Sequence, residues 1–196
     1  MSWTFHRLLL RKIKHICWTK IFIMKNPLIR ICLYFVFAIS FQGIAQQNIK
    51  EISQFIFEKT NRLRVAKGLK PYLALDSLNQ LAQYHSDNMV AKSFYSHVDP
   101  EGLTPVTRAE KLGIMAWRQV GNAYIGIAEN IAQVPWFKNV STCGDTRSSE
   151  ALAECMVEGW KNSPPHYKNI MGDYLYLGVG IQFDKKGVGY GTQVFR

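Results

Sequence analysis

The sequence YLYLGVGIQFDKKGVGYGTQVF, residues 174–195, gives the clearest indication of the fold. Two segments rich in β-branched and aromatic residues, 174–183 and 188–195, flank the turn sequence DKKG. Strand-forming residues on both sides of a polar turn that ends in glycine predict a β-hairpin. The chain therefore ends in two paired strands, and the earlier elements must pack around them.

Helical patterns come before this hairpin. Apolar residues recur at helical spacing from Ile52 to Leu63, and Gly68 ends the pattern as a C-terminal glycine does. Further helices are predicted from Asp76, which is expected to be the N-cap, to about Lys92, over 105–112, over 149–162, and from Ser163 onward, where two prolines suit a first turn. Extended segments are expected at 72–75 and around 124–131, with a loop at 135–148. Helices that bracket a small sheet predict a single α+β domain.

Charge separates a leader from this domain. The chain of 196 residues has 24 Lys+Arg against 14 Asp+Glu, a net charge of +10, and residues 1–45 hold seven of the basic and none of the acidic residues. An apolar run at 31–39 and the small residues Gly43 and Ala45 follow, as in a cleaved secretory signal peptide. The run is shorter than the roughly 20 residues of a membrane span. We therefore expect residues 1–45 to be a leader, with Met24 as an alternative start, and 46–196 to be the domain.

The leader changes what the composition implies. Residues 46–196 have 17 basic and 14 acidic residues, so their net charge of +3 removes the reason to expect a nucleic-acid partner. We expect a secreted or periplasmic protein with no stable membrane span after cleavage, the alternative being an uncleaved N-terminal anchor. Two of the four cysteines, Cys143 and Cys155, lie within residues 46–196, twelve residues apart. An oxidising compartment permits a disulfide between them, and two free thiols are the alternative.

Three polar elements stand where a loop meets a regular element: Ser96-His97, Glu129-Asn130 and the segment from Ser163 to His166. Two imidazoles and one carboxylate in a cleft are a donor set that suits Zn²⁺. The same groups suit general acid–base catalysis, with the carboxylate holding one histidine tautomer. His97, Glu129 and His166 are therefore the candidate catalytic triad, and His97 and His166 are the candidate metal ligands.

Each candidate also has a structural alternative. His97 can position its own turn, Glu129 can bridge loop amides, and His166 can pack against Trp160. His85 lies on the apolar stripe of the second helix, where a core histidine is expected. A solvated helix face explains Glu150, Glu154 and Glu158. A further set of aromatic residues predicts either core packing or a groove for a lipid, a glycan or a peptide; it comprises Trp117, Tyr124, Trp136, Phe137 and Tyr174.

Eight short motifs follow one another in a defined order: Asn61-x-x-Arg64 with Gly68-Leu69, Ala82-x-x-His85-x-x-x-Met89, Phe94-Tyr95-Ser96-His97, Gly102-x-x-Pro105-x-x-Arg108, Ala128-Glu129-Asn130-Ile131, Trp160-x-x-Ser163-x-x-His166-x-x-Asn169-Ile170, Leu177-Gly178-Val179-Gly180 and Tyr190-x-Thr192-Gln193-x-Phe195. This series resembles a bacterial SCP-like domain of the CAP superfamily, named for cysteine-rich secretory, antigen 5 and pathogenesis-related 1 proteins. The resemblance covers residues 52–196.

The resemblance implies an α-β-α sandwich around a small, mainly antiparallel sheet. It also implies a cleft with two histidines and two acids that binds a divalent metal in some relatives. His97 matches the first cleft histidine, Glu129 the first acid and His166 the second histidine. The second acid departs from the pattern, because Ser163 stands three residues after Trp160. A tetrad then requires Glu154 or Glu158 to reach into the cleft.

Two function classes follow. We expect a non-catalytic binding or interaction module whose cleft holds a lipid, an envelope component or a divalent ion such as Zn²⁺. The alternative is a metal-assisted or His/Glu-assisted hydrolase of peptide or ester bonds. The sequence contains neither a Gly-x-Ser-x-Gly nor a His-Glu-x-x-His motif, which favours the first class.

Overall fold

A computed structural model of the chain describes residues 49–196 as five helices and six strands. The helices are α1 (residues 49–66), α2 (Asp76–Ala91), α3 (Pro105–Lys111), α4 (Ser149–Lys161) and α5 (Pro164–Ile170). The strands are β1 (Leu73–Ala74), β2 (Trp117–Val120), β3 (Ala123–Gly126), β4 (Ala128–Pro135), β5 (Tyr176–Phe183) and β6 (Val188–Phe195). The leader predicted for residues 1–45, with its alternative start at Met24, lies outside the described residues.

The predicted hairpin forms the centre of the main sheet. Its strand order is β1-β5-β6-β4, in which β6 pairs antiparallel with both β5 and β4, and β1 adds to β5 in parallel. In the connecting turn, Oδ1 of Asp184 accepts hydrogen bonds from the backbone N–H groups of Lys186 and Val188. Gly187 has a φ of 78°, which a glycine adopts without strain. A separate hairpin of β2 and β3 lies outside this sheet.

Helices cover both faces of the main sheet. On one face, Leu177, Val179 and Ile181 of β5 pack into a core with apolar side chains of α1 and α4, among them Ile56 and Met156. On the other face, Val194 of β6 packs with the apolar stripe of α2 and with Ala109 of α3. The sheet therefore lies between two helical layers, and the predicted α+β fold with a small, mainly antiparallel sheet is confirmed.

Two glycines let α2 approach the sheet. Gly178 and Gly180 alternate along β5 with the residues that face α1 and α4, so both glycines face α2. A Cβ atom on Gly178 would lie 2.1 Å from the backbone carbonyl carbon of Leu78, and one on Gly180 would lie 2.3 Å from the backbone nitrogen of Gln83. Only glycine fits such contact between a strand and a helix backbone.

Two sequence predictions need correction. The second helix begins after Leu75, which is its N-cap, and the carboxylate of Asp76 lies in the first turn, where it faces the positive end of the helix dipole. The extended stretch expected around 124–131 is not one strand: β2 and β3 come before Ile127, and β4 begins after it. The backbone N–H of Ile127 donates to the carbonyl of Ala116. The loop predicted at 135–148 is confirmed after Pro135, the last residue of β4, and contains an isolated bridge between Val140 and Gly144.

One covalent link ties this loop to α4. Cys143 and Cys155 form a disulfide, with their Cα atoms 5.5 Å apart. Residues 49–196 all belong to one compact unit. Within residues 49–196, no helix has both the length and the apolar character that crossing a membrane requires.

Candidate functional site

A carboxylate from the edge strand β4 is the centre of a charged cluster. The side chain of Glu129 is 1% exposed, and its Oε2 accepts a hydrogen bond from Arg108 at 2.5 Å. Its Oε1 lies 2.9 Å from Nδ1 of His97 and 3.6 Å from Nε2 of His85. A buried carboxylate is stable only when its charge is paired and its oxygens are bonded. Here both oxygens are occupied.

Arg108 also fixes the loop that carries His97. It lies in α3, a short helix started by Pro105 and by a capping box of Thr104 and Thr107. One guanidinium nitrogen donates to the backbone carbonyls of His97 at 2.8 Å and Leu103 at 2.9 Å. Arg108 is fully buried, so the same side chain neutralises Glu129 and holds the cleft loop.

Glu129 orients the ring of His97. A carboxylate only accepts hydrogen bonds, so in the neutral imidazole Nδ1 carries the proton and donates to Oε1. The other ring nitrogen, Nε2, then keeps its lone pair. The side chain of His97 is 45% exposed, unlike those of Glu129, Arg108 and His85. His97 is therefore the member of the cluster that a ligand can reach.

His166 completes the cleft from the other side. It lies in the first turn of α5, and its ring centre is 6.2 Å from that of His97. Burial, and after it the neighbouring imidazole of His97, lower the pKa of His166 below its usual value. A neutral imidazole at neutral pH can accept a hydrogen bond or bind a ligand. The three residues predicted for the site, His97, Glu129 and His166, thus lie close together.

His85 is fully buried beneath this cleft. Its Nε2 lies 3.1 Å from the backbone carbonyl of Ser96, to which it donates. Burial lowers the pKa of His85, against the opposing effect of Glu129. Within the described residues its Nδ1 has no hydrogen-bond partner. His85 is thus a core residue, as its place on the apolar stripe suggested, and it also contacts the charged cluster.

Asn130, the next residue of β4, holds α5 in place through uncharged groups. Its Nδ2 donates to the backbone carbonyl of His166 and to Oε1 of Gln193, both at 3.1 Å. Nδ2 of Asn169 donates to Oδ1 of Asn130 at 2.9 Å and to the backbone carbonyl of Glu129 at 3.3 Å. This network sets the position of His166 relative to β4.

A second acid does not enter the cleft. Glu154 and Glu150 bond Lys59 of α1 at 2.5 and 3.2 Å, and Glu158 bonds Lys161. The three glutamate side chains are 38–60% exposed, as expected for a solvated helix face, and two of them also bind a lysine that is 10% exposed. Although burial opposes the charge of Lys59, its bonds to Glu154 and Glu150 raise its pKa.

The cleft does not fit a tightly bound divalent metal. Among residues 49–196, no group of three or more His, Cys, Asp or Glu side chains is arranged to hold a metal ion. Glu129 has both oxygens engaged, and Ser163 stands at the position where the resemblance implied a second acid. Two imidazoles are fewer protein ligands than the three of a catalytic zinc site. The proposed Zn²⁺ would therefore lack a ligand in this chain.

The aromatic residues singled out in the sequence do not share one groove. Trp136 packs against Phe183, and Tyr174 against Phe195, both at the edge of the main core. Trp117 and Tyr124 are exposed on the β2–β3 hairpin, where they lie on the same face of the two strands. Phe137 is exposed after β4.

Sequence reasoning missed the role of Arg108 and the network around Asn130. Both residues are in motifs that the resemblance singled out, but neither was assigned a function. The signal for Arg108 was present: a carboxylate within an apolar strand needs a donor, and an arginine between apolar helix positions needs an acceptor. The network had no such signal, because amide side chains are common and their partners are distant in sequence.

A family model and related proteins match most of the described chain. The family model described as "Cysteine-rich secretory protein family" (CAP) matches residues 57–195. The uncharacterized protein YkwD of Bacillus subtilis (strain 168) is 26% identical over 137 residues, which are 69% of this chain and 44% of that protein.

Solved structures resemble the fold. An extracellular protein containing a SCP domain from Bacillus anthracis is 25% identical with a TM-score of 0.56, over 75% of this chain and 40% of that one. An outer surface protein from Borrelia burgdorferi is 17% identical with a TM-score of 0.57, over 74% of this chain and 92% of that one. The chain spans less than half the length of the two Bacillus proteins.

Proposed function

Because this chain belongs to the cysteine-rich secretory protein (CAP) family, we propose that it is an exported binding module. Its cleft of His97, Glu129 and His166 holds an envelope component, such as a lipid or a cell-wall fragment, without turnover. The predicted leader supports export. The extracellular and outer-surface proteins that share its fold are consistent with the same location.

The observation that carries the proposal is the state of Glu129. Arg108 and His97 occupy its two oxygens, so it acts as a fixed support that orients His97 rather than as a free acid or a metal ligand. The cleft then offers two imidazoles, one of them 45% exposed, whose nitrogens bind a hydrogen-bonding ligand.

Calorimetric titration tests this function. Purified protein is titrated with anionic phospholipid vesicles, with peptidoglycan fragments and with ZnCl₂. We expect heat of binding with vesicles or with fragments, and its loss in the double variant His97→Ala/His166→Ala. The matched control, Trp117→Ala/Tyr124→Ala, removes two exposed aromatic side chains on the separate hairpin and should bind as the wild type does. Equal binding by the histidine variant and the wild type would show that the cleft is not the site.

A hydrolase is a second candidate, because one observation favours it. A carboxylate that holds Nδ1–H of a histidine leaves Nε2 as a general base, and His97 has this arrangement. Turnover of peptide and ester substrates, with and without added Zn²⁺, tests the candidate. Activity that disappears in His97→Ala/His166→Ala would support it. Activity that survives in this variant would exclude the cleft as the catalytic site.

A further inference from the structure

The edge strand β4 presents unpaired backbone groups. It pairs with β6 on one side only. On its other side, the carbonyls of Ile131 and Pro135 accept hydrogen bonds from Nε1 of Trp160 and Oγ1 of Thr146. Gln133 lies between them and, because strand residues alternate in direction, also turns its N–H and C=O away from β6. Within residues 49–196, no hydrogen bond to either group is found.

A groove follows this part of β4. A cavity of about 460 Å³ is lined by β4 from Ile131 to Pro135, by α4 and by the loop that carries the disulfide, and it reaches His166. At roughly 3.3 Å per residue, four steps of β4 extend about 13 Å, the length of four residues of an extended chain. Met156 and Trp160 provide apolar walls.

Gly159 keeps the helical wall of this groove flat. It lies inside α4, where glycine is the most costly residue after proline. A Cβ atom added to it would meet nothing within 4 Å, and the residue is exposed to the groove. The position therefore has room for a side chain, and a side chain there would occupy the space beside β4.

We propose that an extended peptide segment binds in this groove by adding a short strand to β4. Its backbone bonds the N–H and C=O of Gln133, and one end reaches the cleft of His97 and His166. The proposal rests on the proposed function, because it names the ligand class of the same cleft.

The chemistry of the edge favours a peptide over the other envelope components. A peptide backbone carries a donor and an acceptor at the spacing that an open strand offers, whereas a lipid chain carries neither. Strand addition of this kind draws affinity from backbone hydrogen bonds and specificity from side-chain pockets. The free edge is short, since Trp160 and Thr146 occupy the carbonyls on either side of Gln133. A short segment therefore fits, and a long strand of another protein does not.

A peptide library tests the proposal. The protein is purified from a host that expresses the full chain. Phage that display random heptapeptides are first depleted of those that bind the Gly159→Leu variant and are then selected on the wild type. The leucine fills the groove and favours the helix, so this variant should melt at or above the temperature of the wild type. We expect enriched peptides that bind the wild type and not Gly159→Leu. Absence of any such peptide would overturn the proposal.

Two matched changes then test the backbone bonds. Both Gln133→Pro and Gln133→Ala delete the glutamine side chain. Only Gln133→Pro also removes the backbone N–H, which points away from β6, so no hydrogen bond between β4 and β6 is lost. We expect Gln133→Pro to bind a selected peptide roughly tenfold more weakly than Gln133→Ala does. N-methylation of the peptide amide that bonds Gln133 should weaken binding by a similar factor. Equal binding by the two variants, and equal binding of the methylated peptide, would overturn strand addition.

Failure of this proposal is distinguishable from failure of the proposed function. A vesicle or cell-wall ligand that is lost in His97→Ala/His166→Ala and retained in Gly159→Leu would support the cleft function and overturn the peptide groove. A selected peptide that is lost in Gly159→Leu and in the histidine variant supports both.

Discussion

Glu129 and Asn130 are adjacent in β4, so their side chains point to opposite faces of the sheet. They support the site in different ways. Glu129 belongs to a charged cluster with Arg108 and the imidazoles of His85 and His97. Asn130 belongs to an uncharged network that continues through Gln193 to Thr60 of α1, whose hydroxyl donates to a helix carbonyl. We call the cluster of Glu129 the charged side and the network of Asn130, which consists of amide and hydroxyl groups, the uncharged side.

The two sides also differ in how completely their polar atoms are bonded. In the described part of the chain, Nδ1 of His85 and Nε of Arg108 are buried without a hydrogen-bond partner, and both belong to the charged side. The side-chain polar atoms of Asn130 and Gln193 on the uncharged side all take part in bonds. A fully bonded network stabilises one geometry. The exposed ring of His97 also lies on the charged side, so a ligand can reach that side.

The largest effect is expected from breaking the charged side. Arg108→Met leaves the Glu129 carboxylate buried without its counterion, and we expect a loss of about 3–5 kcal/mol in the free energy of unfolding. Urea denaturation measures it. Adding Glu129→Gln should recover part of the loss, because it removes the unpaired charge.

A surface pair is the control for this prediction. Arg62→Met breaks an exposed pair with Glu58, whose atoms are 3.7 Å apart, and should cost less than about 1 kcal/mol. A loss in Arg108→Met no larger than in Arg62→Met would show that the buried pair contributes no more than the surface pair.

The uncharged side should lose less. Asn130→Ala removes hydrogen bonds to His166, Gln193 and Asn169, and leaves buried groups without partners, so we expect a loss of about 2 kcal/mol. A double-mutant cycle with Gln193→Ala should show coupling, since the two amides share a bond. The loss should stay constant from pH 8 to pH 5. A loss that changes with pH would mean that the network is linked to the charged side.

The pH dependence of stability reports on two histidines, His85 and His166. His85 and His166 have lowered pKa values in the folded protein, mainly through burial, so the unfolded chain binds protons more readily. Stability should be constant above about pH 6.5 and fall below it, by at most about 1.4 kcal/mol per pH unit for each histidine until that histidine protonates in the folded state. Glu129, Arg108 and His97 face His85 and modify the effect. Urea denaturation between pH 8 and pH 5 measures it, and equal stability at both ends would contradict it.

The sequence predicts the fold and the cleft unevenly, for physical reasons. The hairpin and the helices follow from local periodicity and turn residues, which act within a few positions. The convergence of His97, Glu129 and His166 came from the resemblance, since spacing alone does not bring them together. The contacts of Arg108 and Asn130 depend on how layers stack, which no local pattern encodes. The close approach of α2 explains Gly178 and Gly180 only once the helix is in place.

The smallest effect on stability is expected at the residue most open to solvent. His97→Ala removes a hydrogen bond to Glu129 from a side chain that is 45% exposed, so water replaces part of it, and we expect a loss below about 1 kcal/mol. Binding of the vesicle or cell-wall ligand should nevertheless fall strongly. His97→Gln, which can still donate to Glu129 but lacks the ring, should restore stability without restoring binding. If His97→Ala instead destabilises the protein as much as Arg108→Met does, then the charged cluster, like the uncharged one, serves mainly to hold the fold together. The cleft would then have to act through His166.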